Sequence, residues 1–295
     1  MSPPTGRLVL VATPIGNLGD LSPRAIEALA AADVVACEDT RHTGRLLQHA
    51  RIRARRLVSL HGHNEASRAG ELVAALAEGV TVAVVSDAGT PAVSDPGARL
   101  VMAAVDAGVE VSVVPGPSAA VAALVVSGLD TSRWRFEGFL PRKGPERRAR
   151  LVEIAASPVV SVCFEAPTRI AATLGELSEA CGAERRVAVA RELTKLHEEV
   201  WRGTLGEAVD RATSLPGPVR GEHVVVVDGA PPRVGTAEED GGVEGLVADL
   251  RRAGLSARDA AIAATTVLGV PHRVAYAAAT AATAATTIPG AGRAR

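Results

Sequence analysis

Aromatic side chains are scarce in this sequence: among 295 residues there are three Phe, two Trp and one Tyr. Serial stacking of single-stranded bases on aromatic rings is therefore excluded as the chain's main way of meeting nucleic acid. Cysteine is rarer still. Cys37, Cys163 and Cys181 are odd in number and far apart, with no C-x-x-C pair, so neither zinc nor disulfide chemistry is expected, and all three read as small hydrophobes in a reducing cytoplasm. No stretch approaches the roughly 20 apolar residues that a membrane span needs. The apolar run near the N-terminus is too brief for a signal h-region, and a soluble, cytoplasmic protein is expected.

Several familiar chemistries are missing too. There is no G-x-x-x-x-G-K-[ST] loop, no G-x-G-x-x-G after a strand, no H-E-x-x-H and no G-x-S-x-G. These absences exclude P-loop NTPases, Rossmann dinucleotide enzymes and the common Rossmann-type methyltransferases, zincins and α/β-hydrolases. His61 and His63 have H-x-H spacing but no acidic or cysteine partner in a recognised pattern, so no metal site is expected. An excess of one charge is lacking as well, with 32 Lys plus Arg against 33 Asp plus Glu. Any contact with a polyanion must then come from local clusters such as Arg51 to Arg56 or Arg142 to Arg150, which read equally as solvated faces.

What is present is a rhythm. Arg7 to Ala12, Asp33 to Cys37, Thr81 to Ser86 and Glu110 to Val114 are continuous β-branched runs, as strands buried on both faces require. Ser22 to Ala31, Glu65 to Glu78, Ala98 to Ala107 and Ser118 to Ser127 carry helical spacing between them. From Thr131 a second set begins: WRFEGFL as a strand, the Arg-rich stretch to Ala156 as a helix, PVVSVCFEA as a strand, PTRIAATLGELSEACG as a helix, then RRVAVAREL and GEHVVVVDG as strands. This predicts an α/β fold: an N-terminal domain over 1–130 and a second over 131–229. A Gly- and Pro-rich linker over 230–242, two helices at Val243 to Ala253 and Ala257 to Val267 within a small helical segment over 243–280, and a poorly ordered Ala/Thr-rich tail from about Ala278 follow.

In such a sheet the functional crevice lies at the carboxyl ends of the strands, so the loops there are the candidate sites. TPIGNLGDLS at Thr13 to Ser22 places Pro14, Gly16 and Gly19 between strand and helix, which suits close backbone approach to a ligand and equally a tight connection. SDAGTPAVSDPG at Ser86 to Gly97 is long; Asp87 offers a carboxylate to a ribose or an amine, and Gly89 and Thr90 offer backbone and hydroxyl contacts, although an Ω-loop closed by its own Asx turns has the same composition. VPGPSAA presents Ser118 and the amide of Ala119 at a helix start, as an ordinary N-cap also does. FEAPTR and RELTKLHEE place charges just past strands of the second half.

Taken together, the strings TPIGNLGDLSPRAIEAL, CEDTRHTGRLL, SLHGHNE, VAVVSDAGTPAVSDPGARLV, VPGPSA, FEGFLPRKGPERR, FEAPTR and ARELTKLHEEVWRG resemble the ribosomal RNA small-subunit methyltransferases of the class III, tetrapyrrole-methylase group, in order, over residues 7 to about 229. The resemblance implies two α/β domains with S-adenosylmethionine bent into the cleft between them, a small helical C-terminal appendage, a homodimer, and methylation of a cytidine 2′-hydroxyl in the decoding region of small-subunit (16S) ribosomal RNA, free or assembled. Carried over, the cofactor pocket would use Pro14, Gly16, Asp87, Ala88, Gly89, Thr90, Ser118 and Ala119 from the first domain. Glu165, Ala166, Leu193 and His223 would join them from the second. Arg273 and Tyr276 match the most regular positions of the appendage, while Gly62 and Thr168 depart from the group's usual residues.

Transfer of a methyl group from a sulfonium to a hydroxyl needs alignment, exclusion of water and a proton acceptor. Candidates for that chemistry are Glu38, Asp39, His63 and Glu65, with Arg41 placed to hold an adjoining phosphate; Asp39 reads equally as a helix N-cap. Arg142, Lys143 and Lys195 are the candidate RNA-backbone contacts. Two rival functions remain at this point: a tetrapyrrole or corrin C-methyltransferase on the same fold, and a noncatalytic RNA-binding module for ribosome assembly.

Overall fold

The computed structural model describes residues 6–214, 220–231 and 242–284. The chain divides into two compact units, Met1–Gly229 and Ala230–Arg295. In the first unit the order is β1 (Arg7–Val11), α1 (Pro23–Ala31), β2 (Val34–Cys37), α2 (Thr40–His49), β3 (Leu57–Ser59), α3 (Glu65–Ala77), β4 (Thr81–Val85), α4 (Ala98–Asp106), β5 (Glu110–Val114) and α5 (Ala119–Val126). There follow β6 (Trp134–Phe139), α6 (Pro145–Ala156), β7 (Val160–Glu165), α7 (Ile170–Cys181), β8 (Arg186–Arg191), β9 (Glu199–Thr204), α8 (Leu205–Ser214) and β10 (His223–Val227).

The first five strands form a wholly parallel sheet in the order β3-β2-β4-β1-β5. Strand β4 shows why its sequence is apolar throughout. Val82 and Val84 enter one core with Leu8, Leu72, Leu76 and Leu100, while Ala83 and Val85 enter the other with Leu29, Val35 and Leu47. Alternate side chains thus meet helices on both faces. The second sheet has the order β6-β7-β10-β8-β9 and is mixed: β6 and β7 are parallel, and β10 runs antiparallel to both β7 and β8.

Helix α5 joins the two sheets. Its Ala120, Ala123 and Leu124 pack with Val160, Val162, Ala188, Val224 and Val226 of the second sheet, and Ile15 from the first half enters the same core. Helices α6, α7 and α8 cover the other face of the second sheet through Leu151, Ile154, Leu174, Leu177 and Leu205.

The second unit contains α9 (Gly242–Arg252), α10 (Ala257–Leu268) and α11 (His272–Ala284). Ser256 caps α10 by accepting from the Asp259 amide at 3.1 Å, and Gly269 closes it in the left-handed region at φ 64°. The expected poor order from Ala278 is corrected here. Alanine is the best helix former, and Ala275 and Ala279, one turn apart, are fully buried against Val243, Val247 and Ala260, so the segment is helical through Ala284. The rest of the expected tail, and most of the linker, lie outside the described residues. Among the described residues, no helix is long and apolar enough to cross a membrane.

Candidate active site

A cavity of about 360 Å³ opens where the strand ends of the two sheets face each other. Ile15, Ala88, Gly89, Thr90, Ser118 and Ala119 come to it from the loops after β1, β4 and β5. Glu165, Ala166, Leu193 and His223 come from the second sheet. His223 belongs with them because β10 is antiparallel: its first residue pairs with Glu165, the last of β7, and with Arg191, the last of β8. Pro14, Gly16 and Asp87 do not line the cavity but sit beside residues that do. The size falls within the range of small-molecule sites.

Two of the few aromatics line this cavity. All three phenylalanines meet: Phe164 has Phe136 and Phe139 at ring distances of 4.9 and 5.5 Å, both edge-on. Phe139 and Phe164 line the cavity, and Phe139 remains 54% exposed, so one aromatic face is available at the site.

Two loops are tied by their backbones. The Thr13 amide donates to the Gly89 carbonyl at 2.8 Å and the Gly89 amide to the Thr13 carbonyl at 3.1 Å. Gly89 has φ +81° and lies so near Ile15 that a Cβ would stand 3.3 Å from that side chain, so glycine meets both needs. Further along the same loop, Ala92 and Ser94 hold left-handed conformations at φ 69° and 62° without being glycines. Each such residue costs on the order of 1–3 kcal/mol, which the surroundings must offset. Part of that anchoring is Glu65, whose buried carboxylate accepts from the Gly97 and Arg99 amides at 2.9 and 3.0 Å and so caps α4.

That bond places Glu65 in a role other than the catalytic one read from the sequence, since its oxygen is spent on a helix terminus. Neither it nor His63, which is exposed beside His61, reaches the cavity lining. Asp39 caps α2 through the Arg41 amide at 2.7 Å, which lowers its pKa, and Arg41 projects its guanidinium into solvent. The Asp39 amide donates to Asp87 at 3.2 Å and draws the ends of β2 and β4 together. Glu38 stands there with its pKa raised, chiefly by burial and next by the charge of Asp87.

One residue of this group was missed in the sequence. Asp95 lines the cavity, and its carboxyl is pushed up to about 6 by burial, then by the charge of Glu38. Position within the long loop was the available signal.

On the opposite wall Glu165 is 2% exposed. It accepts from the Thr173 hydroxyl at 2.6 Å and the Ala166 amide at 2.9 Å, and pairs with Arg169 at 3.3 Å. Thr173 in turn accepts from Arg147, itself bound to Glu176, so a chain of charge-assisted bonds fixes the carboxylate. Burial holds the His223 imidazole below its ordinary pKa, and its Nδ1 is buried without a partner among the described residues. An orphaned ring nitrogen and a fixed carboxylate suit a ligand carrying hydroxyls and an amine. No group of three or more potential metal ligands occurs among the described residues.

The basic candidates separate. Arg142 and Lys143 stand exposed after β6, with no ion pair among the described residues. Lys195, the third candidate, is engaged within the fold: its Nζ bonds Glu192 and Glu222, each at 2.9 Å, and a Cβ on Gly16 would stand 2.4 Å from its Cγ. Its charge is balanced, and its stem closes the loop after β8 against the loop after β1. A second cavity, about 100 Å³ on the outer face of the second sheet, has room for only a few waters.

Comparison with known proteins agrees with this architecture. The family described as Tetrapyrrole (Corrin/Porphyrin) Methylases matches residues 7–209, and the chain belongs to it. A crystal structure of a uroporphyrin-III C-methyltransferase from Thermus thermophilus, complexed with S-adenyl homocysteine, is similar in fold, with a TM-score of 0.53 at 18% identity over 76% of this chain and 97% of that one. More specifically, the chain is 50% identical over 257 residues to the Ribosomal RNA small subunit methyltransferase I of Mycobacterium tuberculosis, covering 87% of this chain and 88% of that one. It is also 50% identical over 228 residues to the protein of that name from Synechocystis sp., covering 77% and 80%.

Proposed function

We propose that this protein transfers a methyl group from S-adenosylmethionine to the 2′-hydroxyl of a cytidine in the decoding region of small-subunit ribosomal RNA, in the cytoplasm. The observation that carries the reading is the cavity of about 360 Å³ at the facing strand ends, in a chain half identical to relatives bearing that enzyme's name.

Glu165, fixed by Thr173 and Arg169, and the backbone of Ala88 to Thr90, Ser118 and Ala119 would hold the cofactor, with His223, Ala166 and Leu193 closing the wall. When bound, S-adenosylmethionine supplies an electrophilic methyl group on a positive sulfonium. The chain's own task is to align the hydroxyl with that methyl, keep water out and accept a proton. Phe139 offers its exposed face to the base, and Arg142 and Lys143 offer charge to the flanking phosphates. The homodimer implied by the family finds support in apolar side chains left exposed on edge strand β5 and on α5: Val113, Val121 and Val125. Sedimentation equilibrium reads that assembly directly.

The test is methylation in vitro with labelled cofactor, offering unmodified small subunits, their free RNA and a uroporphyrinogen side by side. The reading expects label on one ribose in the RNA or the subunit. Label on the tetrapyrrole alone, or no heat of cofactor binding in calorimetry, would overturn it in favour of one of the two rivals.

A further inference from the structure

Four titratable side chains line the cavity: Asp95, Glu165, Glu222 and His223. Three are otherwise engaged or ill suited. Glu165 already accepts two hydrogen bonds and pairs with an arginine, so its oxygens are engaged within the wall. Glu222 is ion-paired with Lys195. His223 lies at the start of β10 between Glu165 and Arg191, on the second-sheet wall with the groups that fit the cofactor.

Asp95 differs. It follows Ser94, one of the two strained left-handed residues of the loop, and Gly138 of β6 leaves room for Ser94, where a Cβ would stand 3.1 Å from its hydroxyl. The loop is thus wedged against the second sheet with Asp95 at the cavity. The charges that face it come from Glu38 at the end of β2 and Asp87 at the end of β4, both negative; the Ser86 hydroxyl lowers its pKa in part, and His61 acts on Glu38 from beyond.

We propose that Asp95 is the catalytic residue that takes the proton from the substrate hydroxyl during methyl transfer. The inference rests on the function proposed above. In the step, the hydroxyl oxygen forms a bond to the methyl carbon as the carbon–sulfur bond breaks and its electron pair returns to sulfur. The hydroxyl proton passes to the Asp95 carboxylate, which later loses it to water. A carboxyl titrating at about 6 is mostly ionised at neutral pH and holds a proton better than an ordinary aspartate, as a general base requires.

The experiment is single-turnover methylation of small-subunit RNA against pH, with cofactor affinity measured by calorimetry, for wild type, Asp95→Asn, Glu38→Gln and His223→Gln. Wild type is expected to gain rate as pH rises and to level off above about 6. Asp95→Asn is expected to lose about 10²- to 10⁴-fold in rate and the whole alkaline rise, with cofactor affinity kept. Glu38→Gln is expected to move the rise to lower pH by removing a negative neighbour, and His223→Gln to keep the rise whatever it does to affinity. An Asp95→Asn enzyme as fast as wild type, or one that loses cofactor binding in step with rate, overturns the assignment; so does a pH rise lost in His223→Gln and kept in Asp95→Asn. A wild type that labels no ribose marks failure of the underlying function instead, and the inference falls with it.

Discussion

The Asp95 carboxyl, with an ordinary value of 3.8, keeps its proton in the folded protein up to about pH 6, mainly because it is buried. Between those values the folded state binds more protons than the unfolded chain, so this residue makes stability fall as pH rises through that window. Asp95→Asn is expected to raise the Tm relative to wild type near neutral pH, with the difference vanishing below about pH 4. Thermal melts across that range check it, and a difference independent of pH would contradict it. Glu65 acts instead through the hydrogen bonds it accepts. Glu65→Ala leaves two amides at the start of α4 without their acceptor and is expected to cost about 1–3 kcal/mol in denaturant unfolding. A variant of full stability but no activity would return Glu65 to the reacting groups. Neither role was legible in the sequence. The proton affinity of Asp95 comes first from burial and then from Glu38, which follows another strand, and the partners of Glu65 lie across the fold at Gly97 and Arg99, so only the chain's path brings them together.

At the scale of elements, legibility followed burial. The central strands β1, β2 and β4 and the strand β7 were readable because both their faces are covered and their sequences are correspondingly continuous. Strands β3 and β9 are edge strands, one of three residues and one reading EVWRGT, and they lack that signature. Helix α11 was hidden by its composition, since alanine and threonine repeats read as low complexity until packing shows which alanines are buried. Ala275→Asp would bury an unpaired charge in the three-helix unit. Limited proteolysis is expected to cut within 242–284 in that variant and spare it in wild type; equal resistance would show that the unit is not held by this core. The loops of the candidate site were legible as a class because strand ends carry function in such sheets, while the individual acid and the closed ion pairs of Lys195 were not.

For the whole molecule, a net charge of −1 means that attraction to RNA must come from patches rather than from a global field. Reversing Arg142 and Lys143 together to Glu is expected to raise the KM for RNA and to flatten the dependence of log affinity on log salt by about one per residue. An unchanged salt slope would remove both from the footprint. The account as a whole stands on one claim: the strand ends of two different sheets build a single site where a cytidine ribose of small-subunit RNA is methylated. The most direct measurement is mass spectrometry of ribose methylation in that RNA, from cells with the gene for this chain deleted and then restored. The account predicts one 2′-O-methylated cytidine in the decoding region that disappears and returns with the gene, and an unchanged methylation pattern would contradict it.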